Sequence, residues 1–565
     1  MTMPTRPTDA EGLRKLTADE IRILKEEGCS AASWDDLNVY PDFEPRDITN
    51  VRFNGPVAIT GKVRLLNIPG GLNNCIIEEG VIIENVDRIE FETEAQCGVG
   101  VIVNVLDETG SRPVRIYPGI SSQIATLMAR EPKWFENMLA TSFQDFLDSK
   151  SLPPVIGENS VIRDSGRIIN VSIGKDIVIE GAVSLVNGAV INSSPSSRAL
   201  PCIGFGVDME NFIIEDGIVE SGAILRNCYI GQGVEIGKGY TAHDSLFFAN
   251  CSFENGEACA LLAGPYTVSM HKGTLLIGCQ TSFMNAGSST NESNHMYKLG
   301  PAHWGVLERG VKTASGAYIM FGAKIGAFSM VMGSHKTHPD SSSFPFSYLF
   351  GDERGATVVV PGAMLRSCGL MRDEKKWPMR DRRLKRRCKL NDNITFNVLN
   401  PFTVESMLSA IDTISSLLAN PADDDLYVRH KGMKFTRAAL ERAKQLYTSA
   451  IFKYLSMTLP DLKFPDPTGK PADEWLDLGG QIIKRTTLQT LLSTGSPDEA
   501  QQILDENFEN YSHDELEWIA NRFGNQWRLS PDEIMAAARH FDSLVEEDRR
   551  EYLERLMNEN KMLSL

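Results

Sequence analysis

Aliphatic residues recur along much of the chain at every sixth position. Ile218, Ile224, Ile230 and Ile236 form one run, and Ile319, Ile325 and Val331 another. Val57 with Val63, and Ile77 with Ile83 and Ile89, form earlier runs; Val155 with Val161 and Ile173 with Ile179 continue them. Glycine often follows, as in Ile156-Gly157, Ile173-Gly174, Ile230-Gly231, Ile236-Gly237 and Ile325-Gly326. An interval of six matches neither the helical repeat of about 3.6 nor the strand repeat of about 2. It is the interval of a short strand plus a tight turn, with one aliphatic turned inward per side. Three such sides close a coil of about 18 residues. Glycine and asparagine at the corners tolerate the left-handed backbone that the turns need. Each coil then buries its aliphatics against the next, which gives a quasi-one-dimensional core.

The pattern predicts a mainly β chain: a left-handed parallel β-helix of hexapeptide repeats, with an inserted α/β segment and a C-terminal α-helical domain. Residues 1–49 form an N-terminal helical segment, in which Thr17 and Glu20 have the spacing of a capping box. Residues 50–95 form the first coils. In 96–154, Val99, Val101, Val103 and Val105 alternate as in ordinary strands. Ile124, Leu127, Met128, Trp134, Phe135, Met138 and Leu139 then sit at helical spacing, so this segment is read as a strand-plus-helix insertion. The main β-helix spans 155–371. Residues 372–399 form a basic linker. Beyond 400, apolar spacings of three and four predict helices over 403–419, 434–459, 481–493, 497–511, 513–523 and 530–563.

Composition narrows the function classes. The chain has 565 residues, 57 Lys plus Arg and 74 Asp plus Glu, for a net charge of −17. That balance opposes non-specific nucleic-acid binding, which is driven by basic charge. No run approaches the roughly 18 apolar residues of a membrane span, and 1–15 lack an apolar signal core. The 10 cysteines are scattered without a CxxC, as expected of reduced thiols in a cytoplasmic protein. No P-loop and no G-x-S-x-G motif is present. Against this acidic background the stretch 372–389 is locally basic. Its Arg372, Lys375, Lys376 and Arg380 are candidates for contacting ligand phosphates. The competing reading is a solvated linker paired with acidic surface.

The six-residue register stops after Val331 and resumes only at Val359, Leu365 and Met371. Residues 333–357 are therefore expected to loop out of the solenoid, and insertions between repeats often carry the binding face. The loop opens Gly333-Ser334-His335-Lys336-Thr337-His338-Pro339-Asp340 and continues to Phe344-Pro345-Phe346. It resembles the active-site loop of hexapeptide-repeat acyltransferases. The histidine, Pro-Phe pair and glycine are similar to the xenobiotic acetyltransferase branch, which points to His335. Thr337-His338-Pro339 is similar to the maltose and galactoside acetyltransferase branch, which points to His338. The whole chain also resembles a large bacterial hexapeptide-repeat family without an assigned reaction, on 16–29 (LTADEIRILKEEGC), this loop and 376–383 (KWPMRDRR).

The resemblance implies an acyl-CoA co-substrate, acetyl-CoA above all. It also implies a small-molecule acceptor such as a sugar or nucleotide sugar, and a homotrimer with sites between subunits. His335 is the expected general base and His338 the alternate. Ser334, Asp340, Phe344 and Phe346 form the substrate loop. A thioester is already activated, so the acceptor needs only a base for its proton and donors for the oxyanion. Two other classes stay open. One is a zinc site of the γ-carbonic-anhydrase kind, drawing on His335 and His338 with His243, His271, His295 or His303, although no metal is favoured. The other is a non-catalytic scaffold or binding protein.

Overall fold

The computed structural model describes residues 12–193, 201–293, 303–386, 388–419, 426–523 and 530–563. Short parallel strands stack coil upon coil, mostly two to eight residues long. Where nothing is inserted, neighbouring coils lie 16 to 18 residues apart, as in Asn211–Asn227, Asn50–Asn67 and Asn67–Asn85. These asparagines sit at bends with φ near +55°, where asparagine is among the few side chains that fit. Their amides bond from coil to coil: Asn187 to Asn211 at 2.7 Å, Asn211 to Asn227 at 2.9 Å, and Asn227 to Asp244 at 3.1 Å.

One interior column can be followed through nearly the whole solenoid. Ile89, Ile168, Leu185, Met209, Leu225, Ala242, Ala258, Leu276, Glu292, Ile319 and His335 pair in unbroken register. Ile83, Ile89, Ile230, Ile236, Ile319, Ile325 and Val331 face inward as the six-residue interval requires. Val161, Ile218 and Ile224 do not. Ile162, Val219 and Leu225, one residue later, are the buried members, and Ile224 is 44% exposed. Aliphatics stand side by side there, so the interval alone cannot choose the phase.

Several boundaries differ from the pattern. The capping box at Thr17 starts the helix Ala18–Glu26, but strands Ser30–Ala31 and Leu37–Val39 already belong to the solenoid. Residues 333–357 do not leave it. Ser334–His335 pairs with Tyr318–Ile319, Asp340 bridges Lys324, and Tyr348–Phe350 pairs with Met330–Met332. This segment is another coil, whose serines and aromatics replace the aliphatics that would have shown it. Thr357–Val360 then turns back antiparallel, and the hairpin Val428–His430/Met433–Phe435 adds to its edge. The open end of the solenoid is thereby covered.

The insertion after the first coils contains the hairpin Ile102–Asn104/Pro113–Arg115 and helices Ser122–Arg130, Pro132–Leu139 and Phe143–Ser149. The solenoid resumes at Val155, so Glu84 and Arg163 are coil neighbours across 79 residues. The basic stretch is a strap as much as a linker. It forms helices Cys368–Met379 and Arg382–Arg386. Arg382 bonds to the carbonyls of Gly233 and Cys251 and to Glu235, while Arg383 and Asp381 form a buried ion pair at 2.9 Å. The C-terminal region packs helices Pro401–Ala419, Arg437–Thr458 and Pro531–Leu563 together. It also holds the hairpin Trp475–Leu478/Gln481–Lys484, whose second strand falls where the pattern predicts the start of a helix. Among the described residues no helix is long and apolar enough to cross a membrane.

Candidate active site

His335 is fully buried in the interior column, one coil beyond Ile319. Its Nδ1 meets the Thr357 hydroxyl at 2.9 Å, and its Nε2 has no hydrogen-bond partner among the described residues. Removal from water lowers its pKa to about 4, so the ring is neutral at pH 7. An acceptor hydroxyl cannot reach it without opening the coil. The Thr357 hydroxyl orients the imidazole.

His338 is placed differently. It is only half-buried, at the corner where the last coil turns, and its Nδ1 faces the backbone carbonyl of Phe321. A carbonyl can only accept, so that contact puts the proton on Nδ1 and the lone pair on Nε2. This is the tautomer that a general base needs, with Nε2 itself buried beneath the corner. Asp340, two residues on, accepts from the Ser342 amide and hydroxyl and faces Lys431 at 3.6 Å, which together hold its carboxyl below the usual range.

The other predicted site residues divide. Ser334 lies in the strand beside Tyr318. Phe344 and Phe346 are fully buried, packed on Phe435 and stacked on Phe328, so they serve the core. The helix Cys368–Met379 sets Trp377 against Phe283 and Phe328 and leaves Arg372, Lys375 and Arg380 exposed, with Lys376 partly so. Arg372 contacts Asp373, which also binds Lys312. His295 and Arg387 lie outside the described residues. His243 is paired with Asp244. Among the described residues the histidines do not converge on one another; the group that comes together with ligand spacing is His513, Asp514 and Glu517, where Lys484 already neutralises Asp514 at 2.8 Å.

A second locus was not legible in the sequence. A cavity of about 320 Å³ lies between the solenoid face, the inserted helix Ser122–Arg130 and the C-terminal hairpin. Residues 391–395 tie these three parts together. Asp392 accepts from the Ser122 amide at 2.6 Å and from the Ala249 amide at 3.3 Å, and the Thr395 hydroxyl accepts from the Ile482 amide at 3.1 Å. The Gln123 amide reaches both Asn393 and Gly479 carbonyls. Arg309, fully buried, faces the cavity between Phe283 and Phe328 and bonds the Thr395 carbonyl. Asp477 stands 3.7 Å from it, and Glu308 accepts from the Ala327 amide at 3.0 Å. Glu308 also lines the cavity, and desolvation raises its pKa to about 8. The signal that could have found this site was the adjacent Glu308-Arg309 pair directly after the inward Leu307.

A family model matches residues 13–76 and 57–418, and its description is a domain of unknown function, DUF4954. An uncharacterized protein of Treponema pallidum (strain Nichols) is 23% identical over 564 aligned positions, covering 85% of this chain and 76% of that relative. The matched region takes in the solenoid, its insertion, the basic strap and the first long helix of the C-terminal part, and on that extent the chain belongs to the DUF4954 family.

Proposed function

We propose that the chain is an acyl-CoA-dependent acyltransferase acting on a hydroxyl or amine of a small acceptor such as a sugar or nucleotide sugar, with His338 as general base. The observation that carries this reading is the Nδ1 contact of His338 with the Phe321 carbonyl, at a half-open corner of the solenoid. The lone pair of that tautomer sits on Nε2, which lies just beneath the surface of this corner, so the loop must shift for the acceptor to pass its proton there as it attacks the thioester carbonyl. The resemblance of Thr337-His338-Pro339 to one acetyltransferase branch supports the same residue. Burial of His335 in the core argues for a structural part in place of the catalytic one. Arg372, Lys375, Lys376 and Arg380 are assigned to the coenzyme phosphates. A homotrimer and a cytoplasmic setting complete the proposal.

The test is calorimetry with acetyl-CoA and free CoA, followed by turnover against an acceptor panel. Binding that survives His338→Ala while turnover falls by about 10²–10⁴-fold is the expected result. Absence of binding to both acetyl-CoA and CoA, or full turnover in His338→Ala, overturns it.

A further inference from the structure

The cavity beside Arg309 is enclosed by three separate parts of the chain, yet its polar groups are not fully satisfied by one another. The Arg309 Nε and Nη1 are buried and make no hydrogen bond among the described residues, although Asp477 lies 3.7 Å from Nη1. A buried guanidinium with idle N–H groups is costly, and native interiors rarely leave one so. The volume, about 320 Å³, is at the lower end of the roughly 300–1,000 Å³ found for small-molecule sites. The walls are mainly aliphatic, from Leu127, Leu262, Leu307 and Ile483. Arg130 stands exposed at the rim, its Nη1 3.4 Å from Gln280.

We propose that this cavity binds a small monocarboxylate with an apolar body, the carboxylate held by Arg309 and the body by the aliphatic walls. Charge selects against a phosphate dianion, because Asp477 and Glu131 also line the space. Glu308, protonated at neutral pH by its desolvation, donates its O–H to the second carboxylate oxygen and so complements a monoanion. Arg130 draws the anion to the rim, and a bidentate or paired N–H contact at the base fixes it. The site does not involve His338, so its occupancy is read independently of acyl transfer.

The probe is hexanoate on the full-length protein, with 1-hexanol as the uncharged control, followed by calorimetry and thermal shift. Saturable hexanoate binding, at least tenfold tighter than hexanol, is expected. Arg309→Met should lose that preference by about 10–100-fold, as for a charge-assisted pair. If Arg309→Met does not fold, Val306→Phe fills the cavity from the outward face of its strand and should abolish binding. Hexanoate that binds no better than hexanol, or binding unchanged in Val306→Phe, overturns the proposal.

Discussion

Between Ile89 and Leu276 every position of the interior column is apolar, whereas from Glu292 to His335 ionisable groups alternate with Ile319. The early coils also carry the asparagine ladders at their bends and the anchor of the strap, and the late coils carry Arg309 of the cavity and the terminal hairpin. Glu292 is fully buried with neither carboxyl oxygen hydrogen-bonded among the described residues, and burial raises its pKa to about 8. The same stacking geometry thus supports two regimes. Early coils gain stability from uninterrupted aliphatic burial. Late coils hold groups whose burial is unfavourable, next to the places where ligands are proposed to bind.

Three changes break or sharpen that contrast. Leu225→Glu places in an early coil the residue type that the late coil tolerates, and the expected outcome is loss of the folded state, read by circular dichroism and soluble yield. An unpaired carboxylate among Met209, Ala242 and the neighbouring aliphatics has no partner to offset its desolvation. Recovery of a normal melting curve would erase the distinction between the two regions.

Glu292→Leu is the reverse exchange. A carboxyl whose folded pKa is raised lends its stability below its unfolded pKa and loses it as pH climbs toward about 8. The variant should therefore gain on the order of 4 kcal/mol at pH 8 and little at pH 4.5, measured by urea unfolding. Some alkaline slope will persist, because Glu308 and Glu515 are raised to about 8 and about 7 by the same cause. Equal gains at both pH values would place the effect in packing instead.

His335→Met has the smallest effect and the opposite pH direction. The folded ring resists protonation to about 4 while the unfolded one takes a proton near 6.5. Stability is therefore full above pH 6.5 and falls as pH drops toward 4, by on the order of 3 kcal/mol. The variant should flatten that acid limb and leave pH 7.5 nearly unchanged. An acid limb as steep as before would assign it to other groups.

The solenoid was legible because aliphatics such as Ile83, Ile89, Ile319 and Ile325 repeat at one interval and are all buried. Its phase was less so where Ile224 and Leu225, or Val161 and Ile162, stand adjacent. The last coil was hidden because Ser341, Phe344 and Phe346 fill inward places usually held by Ile or Val. The helix expected from 481 is a strand before it is a helix, since Gln481–Lys484 finds Trp475–Leu478 as a partner. Of the candidate site, the two histidines were visible as residues, but their opposite fates depend on burial. The cavity depends on Arg309, Asp477 and Ser122 meeting from distant parts of the chain, which no local pattern records.

The insertion between the first coils and Val155 bears on how the chain assembles. A solenoid normally zips from one coil to the next by closing short loops. At the seam where Ile82–Glu84 meets Val161–Arg163 the loop to be closed is 79 residues instead of 17. The added closure entropy is only about 1.4 kcal/mol. The kinetic consequence is larger, because nucleation cannot pass directly across the gap and each side must form its own nucleus. Pulse-labelling hydrogen exchange should show the coils before residue 92 and those after 155 becoming protected in separate phases, with the seam between them closing last.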